Sequence, residues 1–239
     1  MPRNTSFQFK QFRIIQEHSA MKVGMDGVLL GAWVDPSGAE RILDVGTGTG
    51  LIALMMAQKN HDALVDAIEI DEDAYREASL NARQSAWNER IQVEWCSFGE
   101  FAASTTQKYD LIVCNPPFFT NGVKAPVQNR AQARHSDSLP LTDLISGATR
   151  LLSKNGRLAL ILPFEGLAEI EQLAEYNHLS VSRLCRIKPN PQKPIFRILI
   201  ELTNTTCEIS NESLLIEFET HHDYTPEYKE LTSDFYLKF

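Results

Sequence analysis

The chain has 239 residues and a mass of 27.0 kDa, long for one domain and short for two full ones. Hydrophobic residues make up 43%, enough for a sizeable core, yet no run reaches the roughly 18 uncharged apolar residues of a membrane helix. A net charge of −8 argues against a protein that coats nucleic acid, and four scattered cysteines (Cys96, Cys114, Cys185, Cys207) without a CxxC read as buried free thiols of a reducing cytoplasm.

The N-terminus, Met1 to Phe12, is polar and lacks the apolar segment of a signal peptide. Further on, Asp26-Gly27 precedes an apolar, helix-like run, where Asp26 either caps that helix or helps to close a pocket. The first core strand is predicted over Arg41–Val45. It ends in Asp44-Val-Gly46-Thr-Gly48-Thr-Gly50, ahead of a helix near Leu51–Gln58. Glycines there let the turn tighten and bring backbone amides close to a ligand. The third glycine comes one residue too early for the G-x-G-x-x-G spacing of dinucleotide binders. Asp44 would repel a pyrophosphate but can pair with an ammonium, directly or through water. A ligand with an amino-acid end, such as S-adenosylmethionine, meets that condition.

A second strand over Leu64–Ile70 places Glu69 about 20 residues beyond the glycines, the distance at which a strand-tip acid meets a ribose diol. Glu69 is preferred to Asp71, which reads as the cap of a helix over Glu72–Ser85, and Ile70 is placed to cover one face of an adenine. Strands follow at Ile91–Cys96 and Tyr109–Asn115. The latter runs into Asn115-Pro116-Pro117-Phe118, where two prolines stop the ladder and force a rigid exit. That turn offers the Asn115 amide and the Pro116 carbonyl as fixed acceptors, and Phe118 as an aromatic face. Alone it is a common strand-end turn; downstream of the glycine loop it reads as a docking place for a planar NH2 group.

Beyond it lie a helix near Leu141–Leu152, a strand Arg157–Leu162, a helix Glu165–Tyr176, and strands Leu179–Arg186 and Phe196–Leu202. The last two are joined by a Pro-rich turn (Pro189, Pro191, Pro194) too short for a crossover, so an antiparallel edge hairpin is expected. The tail reads as a short helix with Thr225 as cap and Pro226 in first position. The fold class is therefore α/β, a Rossmann-like, seven-stranded, mostly parallel sheet with an antiparallel edge hairpin and helices on both faces. One domain spans 1–239: a lead-in (1–35) near the active site, a core (36–203) and a C-terminal extension (204–239). Charge is uneven, with 11 basic and 6 acidic residues from Thr120 to Ile200 on an otherwise acidic chain. This is either a zone of phosphate contact or a solvated surface.

With these residues assembled, the chain resembles the class I S-adenosylmethionine-dependent methyltransferases that carry an (Asn/Asp)-Pro-Pro-aromatic motif. More narrowly it resembles the family that N6-methylates the adenosine beside the anticodon of a bacterial valine tRNA. The narrower likeness rests on Phe9-Lys10-Gln-Phe12, Met21-Lys-Val-Gly-Met-Asp26-Gly27 through Trp33, Arg134-His135 and the ending Phe235-Tyr-Leu-Lys. The resemblance implies S-adenosyl-L-methionine as cofactor, tRNA as partner, no metal and no membrane; a monomer is expected by default. It implies a catalytic set of Asn115, Pro116 and Phe118, and a cofactor site of Asp44, Gly46, Gly48, Gly50, Glu69, Ile70, Ser97 and Asn115. Ser97 stands where many class I enzymes place an Asp for the adenine amine, so that contact falls either to its hydroxyl or to a backbone group. The segment 120–138, with Lys124, Arg130, Arg134 and His135, is either a lid on RNA backbone or a solvated loop; Arg186 and Lys188 are further phosphate candidates. Ribosomal RNA, a protein glutamine amide and a non-catalytic RNA-binding role are the rival readings; a dinucleotide-dependent reductase is disfavoured by the glycine spacing.

Overall fold

The computed structural model describes residues 5–117 and 139–239. An N-terminal hairpin, β1 (Ser6–Gln8) and β2 (Arg13–Ile15), leads to α1 (Met25–Trp33). The core alternates β3 (Arg41–Val45), α2 (Leu51–Lys59), β4 (Leu64–Glu69), α3 (Glu72–Gln84), β5 (Ile91–Trp95), α4 (Phe98–Ser104) and β6 (Tyr109–Cys114). It continues with α5 (Leu141–Leu151), β7 (Leu152–Pro163), a 3-10 turn (Phe164–Gly166), α6 (Leu167–Tyr176), β8 (Ser180–Lys188) and β9 (Arg197–Thr203), and closes with β10 (Ser210–Leu215) and α7 (Pro226–Thr232).

The main sheet has eight strands in the order β10-β8-β9-β7-β6-β3-β4-β5. Only β9 runs against its neighbours, pairing antiparallel with both β7 and β8. The expected seven strands are thus corrected to eight. The C-terminal extension contributes β10, which pairs parallel to β8 and covers the edge that a terminal hairpin would leave open. Strand order reverses at β3, whose neighbours are β4 and β6, and this opens a crevice at the carboxyl ends of β3 and β6.

Alternate residues of each strand enter different cores. Ile42, Leu111 and Ala159 pack with α1, α2 and the N-terminal hairpin; Leu43, Ile112 and Leu158 pack with α4, α5 and α6. That period-2 burial explains why the central strands read as continuous apolar runs. The N- and C-terminal segments close over the first core. Lys10 N–H donates to Phe235 O (2.9 Å), and the Phe9 and Tyr236 rings stack with centroids 6.0 Å apart.

Near its start β7 bulges against β6, and a Cβ at Gly156 would lie 2.8 Å from the Tyr109 carbonyl and 2.9 Å from Ser153 N. Both are backbone atoms that cannot rotate away. Gly156→Ala is therefore expected to destabilise the protein by about 1–3 kcal/mol, measured as a lowered denaturant midpoint. An unchanged midpoint would show that the bulge accommodates a methyl group.

Candidate active site

The glycine loop leaves β3 with Gly46, Gly48 and Gly50 all left-handed (φ 67°, 58° and 84°), which explains three glycines at that spacing. Gly50 also meets α3 closely, since a Cβ there would lie 3.4 Å from Ala78 Cα. Gly50 occupies the cap position of α2 and has no side chain to cap it. Asp44 does so from the strand: its Oδ2 accepts from Ala53 N (3.0 Å) and from the Thr47 hydroxyl (2.6 Å). Its Oδ1 is buried and, among the described residues, has no hydrogen-bond partner. Burial pushes the Asp44 carboxyl up to about 7, against the lowering effect of the Thr47 and Ala53 bonds. A buried, half-satisfied carboxylate beneath a glycine loop is what a cationic ligand end would complete.

A cavity of about 340 Å³ opens over this loop. Its walls are Gly46–Thr49 with Leu51 and Ile52 on one side, Asn115-Pro116-Pro117 on another, and the lead-in residues Met21–Gly27 on the third. Asn115 is half-buried and Pro116 buried, and among the described residues nothing hydrogen-bonds the Asn115 amide. Phe118, Lys124, Arg130, Arg134 and His135 lie outside the described residues.

Glu69 ends β4 beside the loop. Its Oε2 accepts from Gly48 N (2.8 Å), and its Oε1 accepts from Ile70 N and Asp71 N (2.9 Å each). Asp71 caps α3, accepting from Ala74 N at 2.8 Å, as the sequence reading expects of it. Ile70 is 45% exposed, with its carbonyl accepting from the Trp95 indole N–H (3.0 Å), and is free to cover a flat ligand. A ribose diol meeting Glu69 would share or displace the Gly48–Glu69 bond. Glu69→Ala is accordingly expected to weaken S-adenosylmethionine binding at least tenfold, about 1.4 kcal/mol, by calorimetry. An unchanged dissociation constant would remove Glu69 from the site.

The Ser97 hydroxyl takes part in a helix cap. It accepts from Glu100 N (3.2 Å) and donates to Glu100 Oε2 (2.7 Å), while Glu100 Oε2 also accepts from Ser97 N (3.0 Å). This capping box starts α4 and leaves the hydroxyl one acceptor lone pair. Asp26 does not cap α1. Gly24 holds that position, and Asp26 pairs with Arg197 (3.0 Å) at the cavity wall.

The clamps that hold the lead-in against the site escape the sequence reading. Glu77 of α3 accepts from Glu17 N (2.5 Å), His18 N (2.6 Å) and Ser19 N (3.0 Å). One turn further along, Asn81 accepts from Ile15 N (2.8 Å) and donates to both Ile15 O and Thr49 O (2.9 Å each), tying the lead-in to the glycine loop. The one advance signal was the spacing of Glu77 and Asn81 on one helix face. A larger hollow of about 550 Å³ lies by the amino ends of β3, β4 and β5. All three of its guanidinium groups are engaged, Arg41 with Asp66 (3.5 Å), Arg83 with the Ser79 carbonyl (3.1 Å) and Arg90 with the Ala57 and Ala63 carbonyls (2.7 Å each), and it does not adjoin the glycine loop. No helix among the described residues is long and apolar enough to cross a membrane.

The comparisons agree with this geometry. The methyltransferase small domain model matches residues 19–165, from the lead-in through β7. The chain is 47% identical to a tRNA1(Val) (adenine(37)-N6)-methyltransferase of Trichodesmium erythraeum, over 98% of each chain. It is 45% identical to a protein of the same name from Christiangramia forsetii, over 98% of this chain and 99% of that one. Among solved structures, a "predicted O-methyltransferase" from Agrobacterium tumefaciens matches 88% of this chain and 96% of its own with a TM-score of 0.69 at 21% identity, a likeness of fold. From the glycine loop over β3 to the Asn-Pro-Pro turn over β6, the chain belongs to the methyltransferase small domain family, among relatives named tRNA1(Val) (adenine(37)-N6)-methyltransferases.

Proposed function

We propose that this chain transfers a methyl group from S-adenosylmethionine to N6 of an adenosine in tRNA, the anticodon-adjacent adenosine 37 of a valine tRNA named for its relatives. The observation that carries the reading is the single cavity shared by the glycine loop and Asn115-Pro116. When bound, S-adenosylmethionine supplies a methyl group activated on a sulfonium. Asp44 and the loop amides would hold its amino-acid end, and Glu69 its ribose, consistent with the unpartnered Asp44 Oδ1 and the strand-tip carboxylate.

The adenine N6 amine is a weak nucleophile because its lone pair is delocalised into the ring. Asn115 Oδ1 and the Pro116 carbonyl would accept its two N–H bonds, favour a tetrahedral nitrogen and aim its lone pair into the cavity. As the nitrogen gains positive charge, those fixed oxygens stabilise it without reorganising. Alignment of nucleophile and methyl supplies the remaining acceleration. No side-chain base is needed, since a cationic alkylated amine loses its proton readily. An adenosine in a loop reaches such a cavity by leaving its stack.

RNA would approach along the carboxyl edge of the sheet, where β8 ends in Arg186 and Lys188. Arg186 donates to Asn211 Oδ1 (3.0 Å), and Lys188 is exposed. Lys188→Ala is expected to weaken tRNA binding uniformly across sequences and to lower the slope of log affinity against log salt by about one. An unchanged slope would take Lys188 off the RNA path. The function itself is tested by methyl transfer from labelled S-adenosylmethionine to tRNA and, separately, to ribosomal RNA, both from cells lacking the gene. N6-methyladenosine confined to tRNA supports the reading. Label in ribosomal RNA, or on protein, overturns the substrate.

A further inference from the structure

Glu217, His221 and His222 converge at a place that methyl transfer does not use, with one ligand atom from each all within 4.8 Å of one another. We propose that these three side chains bind a divalent cation of the zinc class. Two imidazoles and a carboxylate suit Zn²⁺, Ni²⁺ or Cu²⁺; Mg²⁺ and Ca²⁺ favour all-oxygen shells. Three protein ligands with one position left to water is also the pattern of open zinc sites.

The backbone brings the donors together. Glu217 bridges to Tyr224 across the turn that follows β10. Inside it Phe218 N donates to Asp223 O (2.8 Å) and Asp223 N to Thr220 O (3.1 Å). His222 sits at φ 68°, a left-handed conformation that side-chain-bearing residues adopt at a cost and that recurs at ligand clamps. Its ring lies against that of His221, centroids 3.7 Å apart, so consecutive residues present both imidazoles to one carboxylate. Glu217 Oε2 is 3.2 Å from His221 Nδ1, and Oε1 is 4.0 Å from His222 Nδ1. Oε1 is fixed further by His222 N (3.1 Å).

Donor atoms around tetrahedral zinc stand about 3.3 Å apart, given bonds of about 2.0–2.2 Å. The remaining contraction falls on the two imidazoles, 77% and 69% exposed, which can rotate without disturbing the core. Glu217, only 17% exposed, is the fixed member. The Tyr224 hydroxyl lies 3.1 Å from His222 Nδ1; a cation taken at Nδ1 would displace it, and one taken at Nε2 would leave it to orient the ring. The turn links β10 to the Thr225 cap of α7 and is tied to β8 through Ile216 N to Lys188 O (3.0 Å). A bound cation would therefore fasten the turn between β10 and α7 upon itself.

The test is calorimetric titration of untagged, full-length, chelator-stripped protein with Zn²⁺, with melting temperature as a second readout. One equivalent is expected, with a rise in melting temperature on adding zinc. His221→Ala and His222→Ala should each weaken binding at least tenfold and abolish most of that rise, as should Glu217→Gln. Melting in chelator verifies that these variants fold. Absence of heat and of any melting shift at millimolar Zn²⁺ overturns the proposal. So does wild-type affinity and stoichiometry in the His221→Ala/His222→Ala double variant, which would place the cation elsewhere.

Discussion

Asn115→Ala is expected to lower methyl-transfer turnover at least tenfold, roughly 1.4 kcal/mol of barrier, while S-adenosylmethionine binds with nearly wild-type affinity. The amide sits at the exit of β6 with its backbone direction set by two prolines, and no described neighbour hydrogen-bonds its side chain. Its oxygen is thus available to an N–H in the cavity and is not occupied in holding the turn. Alanine removes that acceptor and leaves the strand, the prolines and the glycine loop in place. The loss should therefore fall on the chemical step, with cofactor affinity preserved. Single-turnover transfer to tRNA, measured beside a cofactor dissociation constant, separates the two. Equal single-turnover rates would refute the catalytic role of Asn115. A loss confined to cofactor affinity would make it a cofactor ligand only.

The parts of this molecule that were legible in advance are those where one local rule decides. Gly46, Gly48 and Gly50 all need positive φ, and the turn after β6 needs a stop. Asp71 and Thr225 cap the helices that their positions announce. The alternation of Ile42 with Leu43 and of Leu111 with Ile112 between two cores is the physical content of a sheet covered on both faces.

What was missed depends on distant partners or competing local signals. β10 (Ser210–Leu215) begins with four polar residues and becomes a strand because β8 offers it an unpaired edge. The Glu77 and Asn81 clamps reach lead-in residues 58 to 66 positions away, and their spacing on one helix face does not name those partners. α4 was missed for a different reason. Ser97-x-x-Glu100 is a capping box visible in the sequence, but the likeness of Ser97 to a cofactor-binding position competes with that signal. β7 begins five residues earlier than expected because its bulge at Gly156 interrupts the apolar run.

Cofactor affinity is expected to rise with pH from about 5.5 to about 8, with Asp44 as its source, and to fall again where the ligand ammonium loses its own proton. Burial raises the Asp44 carboxyl from 3.8 to about 7. The sign follows from which state holds the proton. In the empty protein this group's contribution to stability is complete below the unfolded value and is lost as pH climbs through about 7, because the folded state must then ionise a buried acid. A ligand ammonium reverses the preference by pairing with the ionised form, so binding strengthens as Asp44 loses its proton. Asp44→Asn tests this with little structural disturbance, since the amide oxygen still accepts from Ala53 N and the Thr47 hydroxyl to cap α2. The variant should bind S-adenosylmethionine at least tenfold more weakly at pH 8, about 1.4 kcal/mol, and lose most of the pH dependence. Its melting temperature without ligand should fall less than the wild type's between about pH 5 and 8. Wild-type affinity in Asp44→Asn at pH 8 would show that the ammonium is held elsewhere, and Asp44 would then be a cap for α2 alone.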